Sequence, residues 1–170
     1  MRFSRRLVLA LLVGALALAA AGLALADDGK GKHGRDDDRN GNTLVRSTLA
    51  PSVPTDPTFH GVAAAGAAWV LDRGKVRLRS DGRFELEVRG LVLTATGNAG
   101  GVATITASLF CGADSTTTAA ATTAAVPLSQ DGDAEIDAKV TLPATCLAPI
   151  VFVHPNGAAA RYIAVSGWKS

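Results

Sequence analysis

The sequence contains few of the residues from which catalytic and metal sites are most often built. It has three histidines and two cysteines, and it lacks Cys-x-x-Cys, Gly-x-Ser-x-Gly, phosphate-loop and dinucleotide-binding motifs. A hydrolytic triad needs a nucleophile, a base and an acid that converge in space, and no motif here brings them together. We therefore predict no catalytic residues and no cofactor, and expect a non-enzymatic protein. The alternative is a small secreted hydrolase with a site on loops around His60 or His154.

Long apolar runs are also scarce, and the single one lies at the start of the chain. Three arginines within the first six residues precede an uncharged stretch, residues 7–25, and Ala24-Leu25-Ala26 closes the segment. A positive start, an apolar middle and small residues at the end are typical of a secretory signal peptide. We predict that residues 1–26 are cleaved after Ala26, which leaves a secreted or extracytoplasmic protein without a membrane span. The alternative is an uncleaved anchor, because a stretch of this length can just cross a bilayer.

A large net charge is absent once the signal peptide is subtracted. The whole chain carries a formal charge of +2, of which three positive charges lie within residues 1–26. Their removal leaves −1 on the predicted mature chain. A near-neutral protein has no general field that attracts nucleic acid or a membrane surface. We therefore predict no nucleic-acid partner, and expect an extracellular protein or a polysaccharide.

Residues 27–58 are polar, are interrupted by glycine and proline, and show no helical or strand periodicity, so we predict a flexible tail. Residues 36–42 of this tail match the first half of an EF-hand calcium loop. The twelfth position should be a bidentate Glu and is Ser47, and no amphipathic helices flank the loop. Weak calcium binding and an acidic solvated tail both stay open. The candidate ligands are Asp36, Asp38, Asn40 and Asn42.

From residue 59 onward the composition is typical of β-strands. Short runs of Val, Ala, Leu and Thr alternate with Gly and Pro turns, without a convincing 3.6-residue apolar period. We predict an all-β domain over residues 59–170, a small antiparallel β-sandwich of immunoglobulin-like or jelly-roll-like type with one disulfide. Outside the hairpins described below, the predicted strands lie at roughly residues 67–71, 90–95, 102–110, 134–142, 150–153 and 161–165.

One hairpin can be derived in register, because apolar and charged residues alternate strictly on both sides of Ser80-Asp81-Gly82. A two-residue Asp-Gly turn would mix charged and apolar residues on one face, which does not suit a half-buried sheet. A three-residue loop with Gly82 in the left-handed conformation keeps both faces consistent. It predicts the pairs Val76–Leu86, Leu78–Phe84, Arg77–Glu85 and Lys75–Glu87.

Residues 74–91 carry the pattern Val-x-Leu-x-x-Asp-Gly-x-Phe-x-x-x-Val-x-Gly-Leu, which resembles the central hairpin of CHRD-type extracellular β domains. The resemblance covers eighteen residues and implies an extracellular β fold. A His-containing segment usually follows in those domains, whereas this chain continues with Leu91-Val-Leu-Thr-Ala. No function is carried across, because fold alone does not imply one.

Residues 126–136 echo the same pattern around Gln130-Asp131-Gly132. We predict a second hairpin there, with the pairs Leu128–Ala134 and Val126–Ile136. Its first strand should lie at a sheet edge, because Pro127 cannot donate a ladder hydrogen bond. The echo is either an internal repeat of two sheets or the same turn chemistry used twice.

Cys111 and Cys146 each follow a predicted strand, and two cysteines in an exported chain most simply form one disulfide. The bond would close a loop of 35 positions and stabilise the fold by roughly 3–4 kcal/mol. The alternative is a redox pair or a metal site, which neither a Cys-x-x-Cys spacing nor a nearby histidine supports.

Charge and aromatic residues offer the remaining candidate binding surfaces. The first hairpin is basic and the second acidic, so either copies associate head to tail or both faces are simply solvated. Four acids with i, i+2 spacing form either a solvated strand face or a cation site; they are Asp131, Asp133, Glu135 and Asp137. Three aromatics with polar groups line either a sugar platform or the core; they are Trp69, Tyr162 and Trp168. We expect a binding or structural module of the cell envelope or secretome.

Overall fold

A computed structural model describes residues 42–169, and within that range every regular element is a β-strand. No helix in this part of the chain could span a membrane. The predicted signal peptide and residues 27–41 lie outside the described residues. The strands are β1 (Thr43–Pro51), β2 (Ala63–Ala64), β3 (Trp69–Val70), β4 (Arg73–Arg79), β5 (Arg83–Arg89), β6 (Val92–Leu93), β7 (Thr104–Phe110), β8 (Ala121–Thr122), β9 (Val126–Pro127), β10 (Ala134–Lys139), β11 (Ile150–Pro155), β12 (Arg161–Tyr162) and β13 (Ala164–Ser166).

Nine of these strands form one antiparallel sheet in the order β10-β5-β4-β1-β13-β11-β7-β8, with β9 also paired to β7. The remaining strands form two small pairs, a parallel pair of β12 with β2 and an antiparallel pair of β3 with β6. The sheet curls, because strands from both of its ends contribute side chains to one core. Among those side chains are Val76, Phe84 and Ile136 from one end and Leu109, Val151 and Val153 from the other.

Strand β1 joins the two halves of this sheet. Residues 43–48 pair with β4, and residues 49–51 pair with β13. The predicted tail boundary at residue 58 is therefore wrong, because the folded domain already includes β1. A bulge between Thr43 and Val45 explains the error. It puts exposed Leu44 beside buried Val45 and so interrupts the alternation that reveals a strand.

The β4–β5 hairpin has the predicted register. Val76 pairs with Leu86 and Leu78 with Phe84, and these four side chains are buried. The loop is closed by a hydrogen bond from the Gly82 amide to the Arg79 carbonyl, and Gly82 has φ of 85°. Alternating hydrophobicity and local turn chemistry were therefore sufficient to fix this register.

The second predicted hairpin is wrong in its pairing but not in its turn. Gly132 has φ of 80°, and its amide donates to the Ser129 carbonyl, so the turn forms. However, β9 pairs with β7 and β10 pairs with β5. Strand β9 does lie at an edge, as Pro127 predicted, since β7 is its only neighbour among the described strands.

The two turn glycines occupy equivalent positions in the sheet. Gly82 precedes β5, Gly132 precedes β10, and β5 and β10 pair antiparallel. Each glycine therefore lies beside the end of the opposite strand. The Gly82 carbonyl accepts from the Val140 amide, and the Gly132 carbonyl accepts from the Leu91 amide, both at 2.9 Å. The same turn chemistry is thus used at both ends of the β5–β10 ladder.

A second apolar cluster covers the other face of β7 and β11. Phe152 lies between Val151 and Val153 on β11 and faces away from the main core, where those two valines pack. Residues 59–65 and β12 cover this face and contribute Val62, Ala64 and Tyr162. This cluster contains the rings that surround both described histidines.

The predicted disulfide is present. Cys111 follows β7, Cys146 precedes β11, and their Cα atoms lie 5.0 Å apart. The bond continues the β7–β11 ladder, in which Phe110 pairs with Ile150 and the Gly112 amide donates to the Leu147 carbonyl. The all-β, antiparallel and disulfide-bonded character predicted from the sequence is confirmed. A small disulfide-bonded β domain of this kind fits an extracellular protein.

Candidate functional site

His60 is held inside the second cluster by its backbone and its ring. Its amide donates to Asp114 Oδ1 at 2.5 Å, and its Nδ1 lies 2.7 Å from the Thr116 carbonyl oxygen. The ring centroid is 5.2 Å from that of Phe110. Only 6% of the residue is exposed. Asp114 thus binds the backbone of His60 rather than orienting its imidazole.

His154 is buried still more completely, with 1% of its surface exposed. Its Nδ1 lies 2.7 Å from the Arg161 carbonyl oxygen, and its Nε2 is buried without a hydrogen-bond partner among the described atoms. Burial lowers the pKa of His154, and the hydrogen bond to the Arg161 carbonyl only partly opposes this shift. The neutral imidazole is therefore the stable form inside the fold.

The two histidines on which the hydrolase alternative rests lie in one aromatic cluster. Both rings contact Phe152, with centroid distances of 6.5 Å and 6.2 Å. Within residues 42–169 neither imidazole hydrogen-bonds to a carboxylate, and no group of three or more His, Cys, Asp or Glu is arranged to hold a metal. The His60 ring thus contacts the loop at Thr116, and the His154 ring contacts the start of β12 at Arg161.

Most of the calcium candidate lies outside the described residues, namely Asp36, Asp38 and Asn40. Asn42 is described, and its carbonyl accepts a hydrogen bond from the Ser80 amide at 2.7 Å. This contact places residue 42 beside the β4–β5 turn, at the start of β1. Its backbone role there is structural.

The acidic row on β10 is paired with arginines of β5. Arg83 lies 2.9 Å from Glu85 and 3.1 Å from Asp137. Arg89 lies 2.6 Å from Glu135, 3.2 Å from Glu87 and 3.7 Å from Asp133. Asp131 lies in the preceding turn and is exposed. The acidic row is therefore a solvated strand face whose charges are paired. The same contacts place the basic and acidic segments side by side in one sheet.

The solvent face of β1, β4, β5 and β10 forms an open groove of about 750 Å³, which we call the charged groove. Two rows of side chains cross it from β1 to β10. The sheet register gives one row as Arg46, Arg77, Glu85 and Asp137, and the other as Thr48, Lys75, Glu87 and Glu135. Val76, Leu86 and Ile136 also line the groove, and because their side chains pack in the core, they present backbone to it.

Charge is separated across this groove. Strands β1 and β4 contribute three cations and no carboxylate to its lining, namely Arg46, Lys75 and Arg77. The carboxylates lie on β5 and β10, where they pair with Lys75, Arg83 or Arg89. The hydrogen bond from Lys75, at 2.5 Å, lowers the pKa of Glu87, and Arg89 adds to the effect. Three cations and four carboxylates line the groove, so its lining as a whole has no excess of positive charge.

The three aromatics do not share a surface. Trp69 and Tyr162 are buried in the two apolar clusters. Burial raises the pKa of Tyr162 to about 12, and its hydroxyl donates to the Pro57 carbonyl. Trp168, by contrast, is 85% exposed. Its neighbour Gly167 donates its amide to the Thr48 carbonyl and accepts from Thr48 Oγ1, which holds the backbone of residue 167 beside β1. Trp168 does not line the charged groove.

The charged groove was not identified from the sequence. The alternation on β4 and β5 showed a charged face, but β1 and β10 reach that face through pairings that are distant along the chain. Comparison with known proteins does not add to this picture, since no family model, curated protein or solved structure matches the chain.

Proposed function

We propose that this protein is an exported, non-enzymatic binding module of the cell envelope or secretome, and that the charged groove is its binding surface. The observation that carries the proposal is the groove itself, which is open to solvent and has a volume of about 750 Å³ on a four-stranded face. Its partner is an extracellular protein or polysaccharide. Side chains on adjacent strands of one sheet are held more precisely than side chains on loops, which suits recognition.

Export is the second part of the proposal. The signal-peptide pattern of residues 1–26 supports it, and so does the disulfide, which persists in oxidising compartments. The N-terminus of protein collected outside the producing cells should be Asp27. Retention of residues 1–26 in the membrane fraction would instead favour the uncleaved anchor.

We further propose that the curled sheet is a two-layered β-sandwich. The core that is shared between the two ends of the sheet supports this proposal.

Binding at the charged groove can be mapped by NMR on the chain from residue 27 onward. Soluble polysaccharides and peptides of either charge would be titrated against the ¹⁵N-labelled protein. We expect the shifted amides to belong to β1, β4, β5 and β10. Shifts centred on His60 and His154 would favour the hydrolase alternative instead, and an absence of shifts with every probe would refute the binding proposal.

A further inference from the structure

We propose that the partner of the charged groove is a second copy of this chain, which binds face to face with its strands parallel to those of the first copy. This inference rests on the proposed function, because it uses the same surface and names the partner. The observation that carries it is the arrangement of charge on the four-stranded face. That arrangement is complementary to itself under one particular two-fold rotation.

The two signs of charge occupy opposite halves of this face. The register places the cations on β1 and β4 and the carboxylates on β5 and β10. The lining contains three cations and four carboxylates, so it is close to balanced. A face that binds its own copy must carry both signs in similar number, because a large excess of either sign would meet itself in the dimer.

A two-fold axis that runs along the strands, between β4 and β5, brings opposite charges together. It places β4 of one copy over β5 of the other, and β1 over β10, while each residue keeps its position along the strand. Arg46 of each copy then faces Asp137 of the other, because both belong to one row of the register. An axis across the strands would instead place β4 over β4 and β10 over β10, so that like charges meet.

The outer pair, Arg46 with Asp137, cannot form within one copy. The two residues lie on β1 and β10, which are three strand spacings apart in the sheet, or roughly 14 Å. Arg46 is exposed and belongs to none of the ion pairs among residues 42–169. Asp137 lies 3.1 Å from Arg83, but 68% of its side chain is exposed, so it can accept from a second cation. The dimer contains two such outer pairs, one at each margin.

The inner charges are already paired within each copy, and the rotation preserves these pairs. Lys75 and Glu87 face each other across β4 and β5 at 2.5 Å. In the dimer, Lys75 of each copy lies over Glu87 of the other, so the four charges alternate in sign around a square. Each ion pair of one copy therefore attracts that of the other. Sheets stacked face to face lie about 10 Å apart, a distance that long side chains from both faces can bridge.

The dimer should be weak and sensitive to salt. Exposed ion pairs contribute little each and are screened by salt, and this face is charged and polar rather than apolar. We expect a Kd of about 0.1–1 mM at low ionic strength, in the range of transient interfaces. The Kd should rise at least about tenfold in roughly 0.5 M sodium chloride, in which charges are screened over a few ångströms.

Sedimentation equilibrium of the chain from residue 27 onward measures this self-association. Arg46→Glu and Asp137→Arg should each raise the Kd at least about tenfold, because each variant sets like charges together at both margins of its dimer. Asp131→Arg is the matched control, since this exposed carboxylate lies in the turn before β10 and does not line the groove. It should leave the Kd unchanged. All three positions are exposed, so thermal unfolding of each variant should match that of the parent.

A mixture of the two groove variants tests the two-fold arrangement directly. When the Arg46→Glu chain meets the Asp137→Arg chain, both outer pairs again join opposite charges. The mixture should therefore associate with a Kd within about threefold of the parent value, although neither variant associates comparably alone. This restoration also shows that each variant is folded.

Each other outcome overturns a defined part of the proposal. Self-association that both variants leave unchanged, or that their mixture does not restore, refutes the face-to-face dimer. A parent chain that stays monomeric at about 1 mM and low ionic strength also refutes it. Groove shifts with polysaccharides or peptides in the NMR titration would then leave the proposed function standing. A monomeric parent chain without groove shifts for any probe refutes both.

Discussion

At Gly82, both the backbone conformation and the space around the residue require glycine. Its φ of 85° lies in the left-handed region, and a Cβ there would collide with the Val140 carbonyl oxygen. Gly82→Ala should therefore lower the free energy of unfolding by about 2–4 kcal/mol, because left-handed strain and a backbone clash add. Urea denaturation monitored by circular dichroism measures this loss.

Gly97 is the matched control for that substitution. It also has a left-handed φ, 66°, but no atom lies within 4 Å of the point that a Cβ would occupy there. Gly97→Ala should cost only the conformational penalty, about 1–2 kcal/mol. If both variants lost the same stability, the close approach of Val140 would not matter, and the account of the β5–β10 ladder end would be wrong.

His154 should make the fold sensitive to mild acid. Burial lowers its folded pKa below the unfolded value of 6.5, so below pH 6.5 the unfolded chain binds a proton that the folded chain does not. Stability is therefore fully present above pH 6.5 and falls as the pH drops from there towards the lowered folded pKa. For one proton the slope reaches at most about 1.4 kcal/mol per pH unit.

The variant His154→Asn tests this dependence. Asn can place its amide near the position of Nδ1 and donate to the Arg161 carbonyl, but it does not titrate. We expect denaturation midpoints of the variant to vary less between pH 6.5 and 5 than those of the parent protein. An unchanged pH profile would assign the effect to other groups.

Strand β1 is the element on which the sheet depends. It pairs with β4 and β13 and buries Val45, Leu49 and Ala50. Its two larger apolar side chains alone contribute about 1.5–3 kcal/mol each, a large part of the stability of a small domain. A chain that begins at residue 59 should not unfold cooperatively on heating, whereas one that begins at residue 42 should. Equal thermal transitions for the two chains would show β1 to be dispensable.

Local pairings could be predicted from the sequence, and distant ones could not. The β4–β5 register follows from alternation and one turn, both contained within residues 73–89. The β9–β10 hairpin had the same local signals, yet β10 pairs with β5, more than forty residues earlier in the chain. Turn chemistry specifies the turn and not the partner of the next strand. The charged groove depends on those distant pairings, as does the position of Trp168, so it became visible only in the folded sheet.

At the scale of the whole molecule, the disulfide ties the end of β7 to the segment that enters β11. Replacement of Cys111 and Cys146 by serine should cost about 3–4 kcal/mol, because the unfolded chain loses the constraint of a closed loop. Reduction of the parent protein should lower its melting temperature to a similar extent. A reducing agent should leave the serine variant unaffected, and any further shift there would implicate another cause.

The pairing of β1 with β13 determines when the two halves of the sheet can join during folding. β1 begins at Thr43 and β13 ends at Ser166, so the paired strands lie more than a hundred residues apart in the sequence. A chain that is synthesised N-terminus first must therefore reach β13 before the two halves of the sheet can join. Such distant pairings slow folding. If the chain is exported as we propose, the same delay keeps the sheet incomplete until β13 has also crossed the membrane.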